Sequence, residues 1–381
     1  MQKTKILFSV TSPFIFKSLY REHFDYLKRR SFNVTLLSSY GKEMDEFENG
    51  EINVKRLNIE RKVSLISDFI SLFKIVIYFL FNRFDIVHYS TPKASLLCAI
   101  ASFVTFQRNR VYTVRGRAYE NFRGKKRHLF EFLEKLTCKL STEIIFISNE
   151  MRRDFVSAGY VTEDNSRIFG LGSSNGISLE EFPETNPIEI RQLKQINGLP
   201  NNTKVISYVG RISIEKGIRE LLASFKRFQL EGSNINLIIQ GKFEGIGLAD
   251  VKAEINSNDA ITYRPWGGDI RATYAMSDVF AFPSYREGFG NVAIEAALMG
   301  VPVVAFDVIG CRESIKNNVS GLIVEAFSDD ALYAGLNKIL TDEQLRERLS
   351  KEGRKWVQSN FERHQIWDAI IDFYSIITKK S

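Results

Sequence analysis

Short apolar strands alternate with helices twice along this chain, and a polar stretch rich in Pro, Asn and Gly separates the two series. In the first series, residues 5–10, 33–38, 52–57, 85–88, 110–114 and 143–148 read as strands. Helices are expected over 16–30, 66–81, 95–106 and 126–139. After the polar stretch the alternation restarts, with strands at 204–209, 235–240, 261–263, 279–283, 301–306 and 321–324, a helix at 218–231, and helical periodicity from 341 to the end. Strands that are apolar along their whole length and joined by helices form parallel sheets covered on both faces. The fold class is therefore α/β, with two doubly wound Rossmann-like domains facing a cleft. A length of 381 residues suits two cores rather than one. The expected organisation is a first domain over 1–180, a linker over 181–203 with one short helix near 189–196, and a second domain over 204–360. A C-terminal helix over 361–381 is expected to pack back toward the first domain. Ligands of such sheets bind beyond the carboxyl ends of the strands.

Composition narrows the setting. Cys98, Cys138 and Cys311 lie far apart and are odd in number, which argues against a disulfide framework and for a reducing compartment. His23, His88, His128 and His364 show no ligand spacing, so no metal site is expected. The opening MQKTKILFSV has too short an apolar run for a secretory signal and no small-residue cleavage site. The apolar stretch 63–81 is interrupted by Asp68 and Lys74 and falls short of a membrane span. A cytoplasmic protein, soluble or peripheral, is the expectation.

The net charge of +7 is unevenly placed. Residues 1–180 hold 28 Lys and Arg against 19 Asp and Glu, whereas 181–381 hold 24 against 26. A basic first half suits an anionic partner such as phospholipid, a phosphorylated acceptor or nucleic acid. No aromatic-interleaved basic motif of the RNA-binding kinds is present, so nucleic acid is not expected. The cluster Arg123-Gly124-Lys125-Lys126-Arg127-His128 precedes a helix with Leu129, Leu133, Leu136 and Leu140 on one face. The leucines read as core. The cations, with Arg108, Arg110, Arg115 and Arg117 nearby, read as a surface for anionic lipid on the inner face of the cytoplasmic membrane.

Two runs carry chemistry. In Val209-Gly210-Arg211-Ile212-Ser213-Ile214-Glu215-Lys216-Gly217, a strand ends and a helix begins. Two cations beside a helix N-terminus make a site for a diphosphate. The second run, Pro283-Ser284-Tyr285-Arg286-Glu287-Gly288-Phe289-Gly290-Asn291 and on to Glu295-Ala296, again follows a strand. Its glycines let the backbone approach a ligand, and its two carboxylates suit sugar hydroxyls.

Together with G-V-P-V-V-A at 300–305 and S-G-L-I-V at 320–324, these runs resemble family 4 of the retaining GT-B glycosyltransferases. The resemblance extends to D-I-V-H-Y-S-T-P-K-A at 85–94, F-I-S-N-E-M at 146–151 and S-N-G-I at 174–177. In detail it points to enzymes of bacterial O-antigen, capsule and related lipid-linked glycans. It implies a nucleotide-sugar donor, UDP preferred and GDP next, a polyprenyl-diphosphate-linked acceptor, and no cofactor. Arg211, Lys216 and Glu287 would be catalytic, the first two neutralising the donor diphosphate and Glu287 holding the transferred sugar. Gly210, Gly241, Trp266, Phe289, Gly290, Asn291 and Glu295 would bind the donor, with Glu295 on the ribose and the 264–267 loop facing the base. His88, Lys93, Arg115 and Glu150 are candidates for acceptor or secondary contacts, although His88 reads equally as a buried, hydrogen-bonded residue. The sequence departs from the family at Thr113-Val114-Arg115-Gly116, where histidine often stands in place of Arg115. It departs again at Val10-Thr11-Ser12-Pro13-Phe14, which replaces a glycine-pair loop. The alternative reading is a nucleotide-sugar epimerase of similar architecture.

Overall fold

The computed structural model describes residues 3–50, 52–60, 64–173 and 175–379. Val63 at the head of the apolar stretch, Ser174 of the S-N-G-I motif and two residues at each terminus lie outside them. Contacts divide the chain into two compact units, 1–175 with 365–381, and 176–364. The division falls after Asn175, so residues 181–203, read above as linker, belong to the second unit.

The first unit holds seven strands: β1 (Thr4–Ser9), β2 (Phe32–Ser38), β3 (Asn53–Arg56), β4 (Ile86–Ser90), β5 (Asn109–Val114), β6 (Glu143–Phe146) and β7 (Ser166–Ile168). They pair in parallel in the order β3-β2-β1-β4-β5-β6-β7. The direction of winding reverses between β1 and β4, the switch point at which doubly wound sheets take ligands. The helices Arg21–Arg29 and Arg363–Lys379 cover one face, where Ile366, Ile370 and Tyr374 pack against Ile6 and Phe8. The helices Leu65–Phe81, Pro92–Val104 and Gly124–Leu140 cover the other, around Leu7, Val87, Ile75, Phe79 and Cys138.

The leucine stripe of the Gly124–Leu140 helix is not its core face. The helix turns Glu134, Thr137 and Cys138 inward, while Leu129 is exposed and Leu133, Leu136 and Leu140 are half-buried. The two stripes are offset by about a third of a turn, which leucine count alone does not reveal. Glu134 is tolerated inside because the Tyr112 hydroxyl donates to it at 2.7 Å and burial lifts its carboxyl to about 7, favouring the neutral form.

The second unit holds β8 (Lys204–Val209), β9 (Ile235–Gly241), β10 (Ile261–Pro265), β11 (Val279–Phe282), β12 (Val303–Phe306) and β13 (Gly321–Val324), in the order β10-β9-β8-β11-β12-β13. All pairings are parallel. Its switch point lies between β8 and β11, whose carboxyl ends feed the two runs singled out in the sequence. The two cores are built on the same winding, so each unit presents its loops at one edge of its own sheet.

Candidate active site

In the second unit, the loop after β8 forms a single helical turn at Ile214–Lys216, and Gly217 in the left-handed region (φ 69°) starts the Ile218–Leu230 helix. A Cβ on Gly217 would stand 1.9 Å from the carbonyl oxygen of Pro283, so glycine is required both for the turn and for contact with the loop after β11. The two loops are braced further. The Tyr285 amide donates to the Glu215 carbonyl at 2.9 Å, and Arg286 pairs with the Glu215 carboxylate at 2.8 Å.

This bracing brings Lys216 to Glu287. The ammonium donates to Glu287 Oε1, which also accepts from the buried Ser284 hydroxyl at 2.8 Å. Both charged side chains are largely shielded, at 16% and 15% exposure. Gly310 (φ 81°) closes the far side, since a Cβ there would stand 2.5 Å from the Glu287 carbonyl oxygen. An ammonium fixed in this way is preorganised toward a developing negative charge.

The Asn291–Leu298 helix opens at Gly290 with no side-chain cap, and its Asn291 and Ala293 amides donate to the Phe289 and Gly290 carbonyls at 3.1 and 3.0 Å. Gly290 lies so close to Phe282 and the Ser314 hydroxyl that a Cβ would stand 2.5 and 2.6 Å from them. The Phe289 side chain is buried against Phe361, which leaves only its backbone for a ligand. Glu295 follows in the second turn of this helix. The buried Tyr274 hydroxyl donates to its Oε2 at 3.1 Å. Burial raises the carboxyl to about 7, with the Glu181 charge adding to the rise, against the Tyr274 hydrogen bond and Arg363.

That shift has a measurable consequence. With Glu295 on a ribose diol, as the resemblance implies, the diol would donate to the charged carboxylate, and nucleotide affinity is then expected to rise as pH passes upward through about 7 and Glu295 ionises. Between pH 8 and pH 6 the Kd should weaken by about tenfold, because each pH unit below the pKa cuts the ionised fraction about tenfold. Glu295→Gln should bind weakly at every pH with no such slope. Calorimetric titration across this range checks it.

The other residues that the resemblance assigns to the donor are placed as follows. Gly210 and Gly241 pack back to back, and a Cβ on Gly241 would stand 1.8 Å from the Gly210 carbonyl oxygen. Trp266 is exposed and lines a groove with Glu181, Phe182 and Arg271, a flat surface on which a base can stack. Arg264 is held by Thr273 and Asn197, as a support for that loop. Arg211 is not joined to the Lys216–Glu287 pair; it pairs with Glu244 at 3.1 Å, both side chains more than half exposed. Ser284 stands in the second run with no role read from it, and Tyr274 and Gly310 are not singled out by the sequence reading, although the glycine between β12 and the following helix carried a signal.

In the first unit, Arg115 lies just past β5. Its guanidinium sits 5.0 Å over the Tyr20 ring and donates to the Tyr20 hydroxyl. It lines a small cavity with His23, His88, Thr113, Ser173 and Asn175. His88 is a buried, hydrogen-bonded histidine. Its Nε2 lies 2.6 Å from the Thr113 hydroxyl and its Nδ1 2.5 Å from that of Tyr374, and burial followed by the Arg115 charge pushes its pKa well down. His23 is buried against Trp367 and lowered to about 3 by the same causes. Both rings are neutral, so Arg115 supplies the positive charge at this cavity. Lys93 pairs with Asp68 at 2.7 Å and ties two helices together, and Glu150 is partly exposed in the first turn of the Asn149–Ser157 helix. At the switch point, the Thr11 amide and hydroxyl both lie 2.9 Å from the Thr91 hydroxyl. Thr91 has φ 77°, a region that β-branched residues seldom occupy and that marks it as a candidate contact. Among the described residues, no group of three or more His, Cys, Asp or Glu could hold a metal ion.

Comparison with known proteins places this geometry. The model for "Glycosyl transferases group 1" matches residues 189–356, which contain Arg211, Lys216, Glu287 and Glu295, and that for "Glycosyltransferase Family 4" matches 20–172. The chain is 34% identical to the capsular polysaccharide biosynthesis glycosyltransferase CapM of Staphylococcus aureus, over 100% of this chain and 99% of the relative. It is 26% identical to an Escherichia coli UDP-Gal:alpha-D-GlcNAc-diphosphoundecaprenol alpha-1,3-galactosyltransferase, over 93% and 91% of the two chains. The crystal structure of Anabaena HepE in complex with UDP has the same fold, with a TM-score of 0.80 over 98% of this chain and 100% of that one, at 21% identity.

Proposed function

Because this chain belongs to the GT-B glycosyltransferases, we propose that it moves a sugar from a nucleotide-diphosphate sugar, preferably a UDP-sugar, to a polyprenyl-diphosphate-linked acceptor in surface-polysaccharide assembly, with retention at the anomeric carbon and without a metal ion. The observation that carries the reading is the shielded Lys216–Glu287 pair, held by two cross-braced loops at the switch point of the second sheet. The S. aureus relative acts in capsule biosynthesis and the E. coli one on a diphosphoundecaprenol-linked sugar, by their names, which supports this donor and acceptor class.

In this reading Lys216, Arg211 and the uncapped start of the Asn291–Leu298 helix take the charge of the departing diphosphate. Glu287 and the Phe289–Gly290 backbone hold the sugar, Glu295 the ribose and Trp266 the base. The bond from C1 of the sugar to the β-phosphate oxygen breaks, leaving an oxocarbenium-like centre. The acceptor oxygen bonds to C1 on the face the phosphate leaves, and its proton passes to the departing β-phosphate oxygen. Retention follows, and no protein base is needed on the acceptor side. The first unit, with Arg115 at its carboxyl edge, takes the acceptor phosphate, and the protein works at the inner face of the cytoplasmic membrane.

The test is the anomeric configuration of the product by proton NMR, with EDTA present and with donor alone. The expected results are a product of the same configuration as the donor, an unchanged rate with chelator, and no isomerised donor. An inverted product or a chelator-sensitive rate would count against the mechanism, and conversion of donor alone would favour the epimerase.

A further inference from the structure

The Leu65–Phe81 helix carries apolar side chains on its outward face as well as on its inward one. Ser71, Ile75 and Phe79 are buried against the sheet. On the opposite side Ile66, Phe69, Ile70, Phe73, Ile77, Leu80 and Phe81 fall within about 120° of the circumference at 3.6 residues per turn. All seven are exposed: Ile66 at 78%, Phe69 at 70%, Phe73 at 60% and Phe81 at 84%. No charged residue interrupts the stripe. Asp68 points to Lys93 and Lys74 lies on the flank. A helix apolar on both sides belongs in an apolar environment, and so large an exposed apolar surface marks an interaction site.

The helical layer continues the pattern. The end of this helix is held to the end of the Pro92–Val104 helix, where Gln107 Nε2 donates to the carbonyls of Phe79 at 3.0 Å and Asn82 at 3.1 Å, and Arg83 donates to the Thr105 carbonyl. There Phe103, Val104 and Phe106 are exposed, with the Arg110 guanidinium 5.6 Å over the Phe103 ring. Arg83 and Arg110 donate to neutral carbonyl oxygens, which leaves their charge available. An apolar stripe flanked by Lys74, Arg83 and Arg110 matches the acyl and phosphate levels of an anionic bilayer. A second copy of this chain would set the same cations against one another across a two-fold axis.

We infer that the outward face of the Leu65–Phe81 helix lies in the plane of an anionic membrane and inserts its apolar side chains at the acyl boundary. This helix, rather than the 123–128 cluster, is then the main anchor of the first unit. The helix spans about 25 Å at 1.5 Å per residue, too short to cross the bilayer, and is laid flat instead. No helix among the described residues is long and apolar enough to cross a membrane. The inference rests on the lipid-linked acceptor reading above and names how that surface is met.

The test uses the full chain with vesicles of phosphatidylcholine containing about 30 mol % phosphatidylglycerol, since anionic headgroups attract nearby cations. Phe73→Cys labelled with an environment-sensitive dye should shift to an apolar signal on vesicles, whereas a label at Lys226→Cys in the second unit should not. The native cysteines are buried and do not compete. The triple variant Ile66→Ser, Phe69→Ser and Phe73→Ser should keep its melting temperature and lose vesicle affinity by about a hundredfold or more, because insertion scales with buried apolar area. The triple variant Lys125→Ser, Lys126→Ser and Arg127→Ser should lose less than about tenfold, an electrostatic contribution that salt screens. If the second variant loses binding and the first retains it, the inference is overturned while the membrane reading stands. A wild-type chain that binds no vesicle removes both. A chain that is dimeric in light scattering, and made monomeric by the first variant, assigns the face to a second copy and overturns the inference.

Discussion

Lys216→Ala is expected to lower kcat by about 10²- to 10³-fold, the usual cost of removing one preorganised group that meets developing charge. The Lys216–Glu287 pair is largely shielded from solvent, with Ser284 donating to Glu287 and Gly310 packed against the Glu287 backbone. In the proposed reaction, a charge held there needs no reorganisation as the diphosphate departs. The substitution also leaves Glu287 without its cation, so its effect contains more than one lost contact. Lys216→Arg separates the two contributions. It keeps the charge but not the ammonium's single-point geometry, and should recover part of the rate. Glu287→Gln should lower kcat through the sugar while leaving affinity for the free nucleotide near its original value. Steady-state rates with saturating donor, with far-ultraviolet circular dichroism as the check on folding, measure all three.

Gly217→Ala is expected to be strongly destabilising to the second unit. Its cost has two sources. An L-residue at φ 69° is strained by about 1–2 kcal/mol. The added Cβ also falls 1.9 Å from the Pro283 carbonyl oxygen, which is backbone and cannot rotate away. Together about 3 kcal/mol or more should be lost, a fall in Tm of about 6–12 °C for a unit of this size. Gly232 supplies the control. It has φ 71°, yet a Cβ there meets nothing within 4 Å, so Gly232→Ala should cost only the backbone strain. Equal losses at the two positions would mean that close packing of the two loops contributes nothing. Differential scanning calorimetry of the two variants decides between these outcomes.

Much of this architecture is legible in the sequence because parallel strands buried on both faces are apolar along most of their length. Val205, Ile206, Ser207, Tyr208 and Val209 announce β8 in this way. β7 was not foreseen, since Ser166-Arg167-Ile168 is too short and too polar to stand out and forms by pairing with β6. The helix Lys42–Asn49 was missed because its charged face dominates its few apolar positions, Met44 and Phe47. Arg21–Arg29 was foreseen as part of one longer helix, whose first turn at Phe16–Tyr20 is in fact wound more widely.

The candidate site was legible where glycine spacing encodes it. Gly217 and Gly290 mark close approaches of the backbone at strand ends, and their neighbours Lys216 and Glu287, to which the sequence gives separate roles, are brought together there. Side-chain direction was less legible. Lys93 lies near a strand end but turns to Asp68, and His88 turns into the core between Thr113 and Tyr374, a residue 286 positions away. The exposure of the 65–81 helix was hidden for the same reason: periodicity identifies a face only when the opposite face is polar.

The central claim is that the second unit grips the diphosphate through Lys216, and it is tested most directly by titrating UDP and uridine into wild type and Lys216→Ala. The account predicts that the substitution weakens UDP by about a hundredfold, the size of one charge-assisted contact of about 3 kcal/mol, and leaves uridine unchanged. Equal affinities of both proteins for UDP, or a parallel loss for uridine, would contradict it.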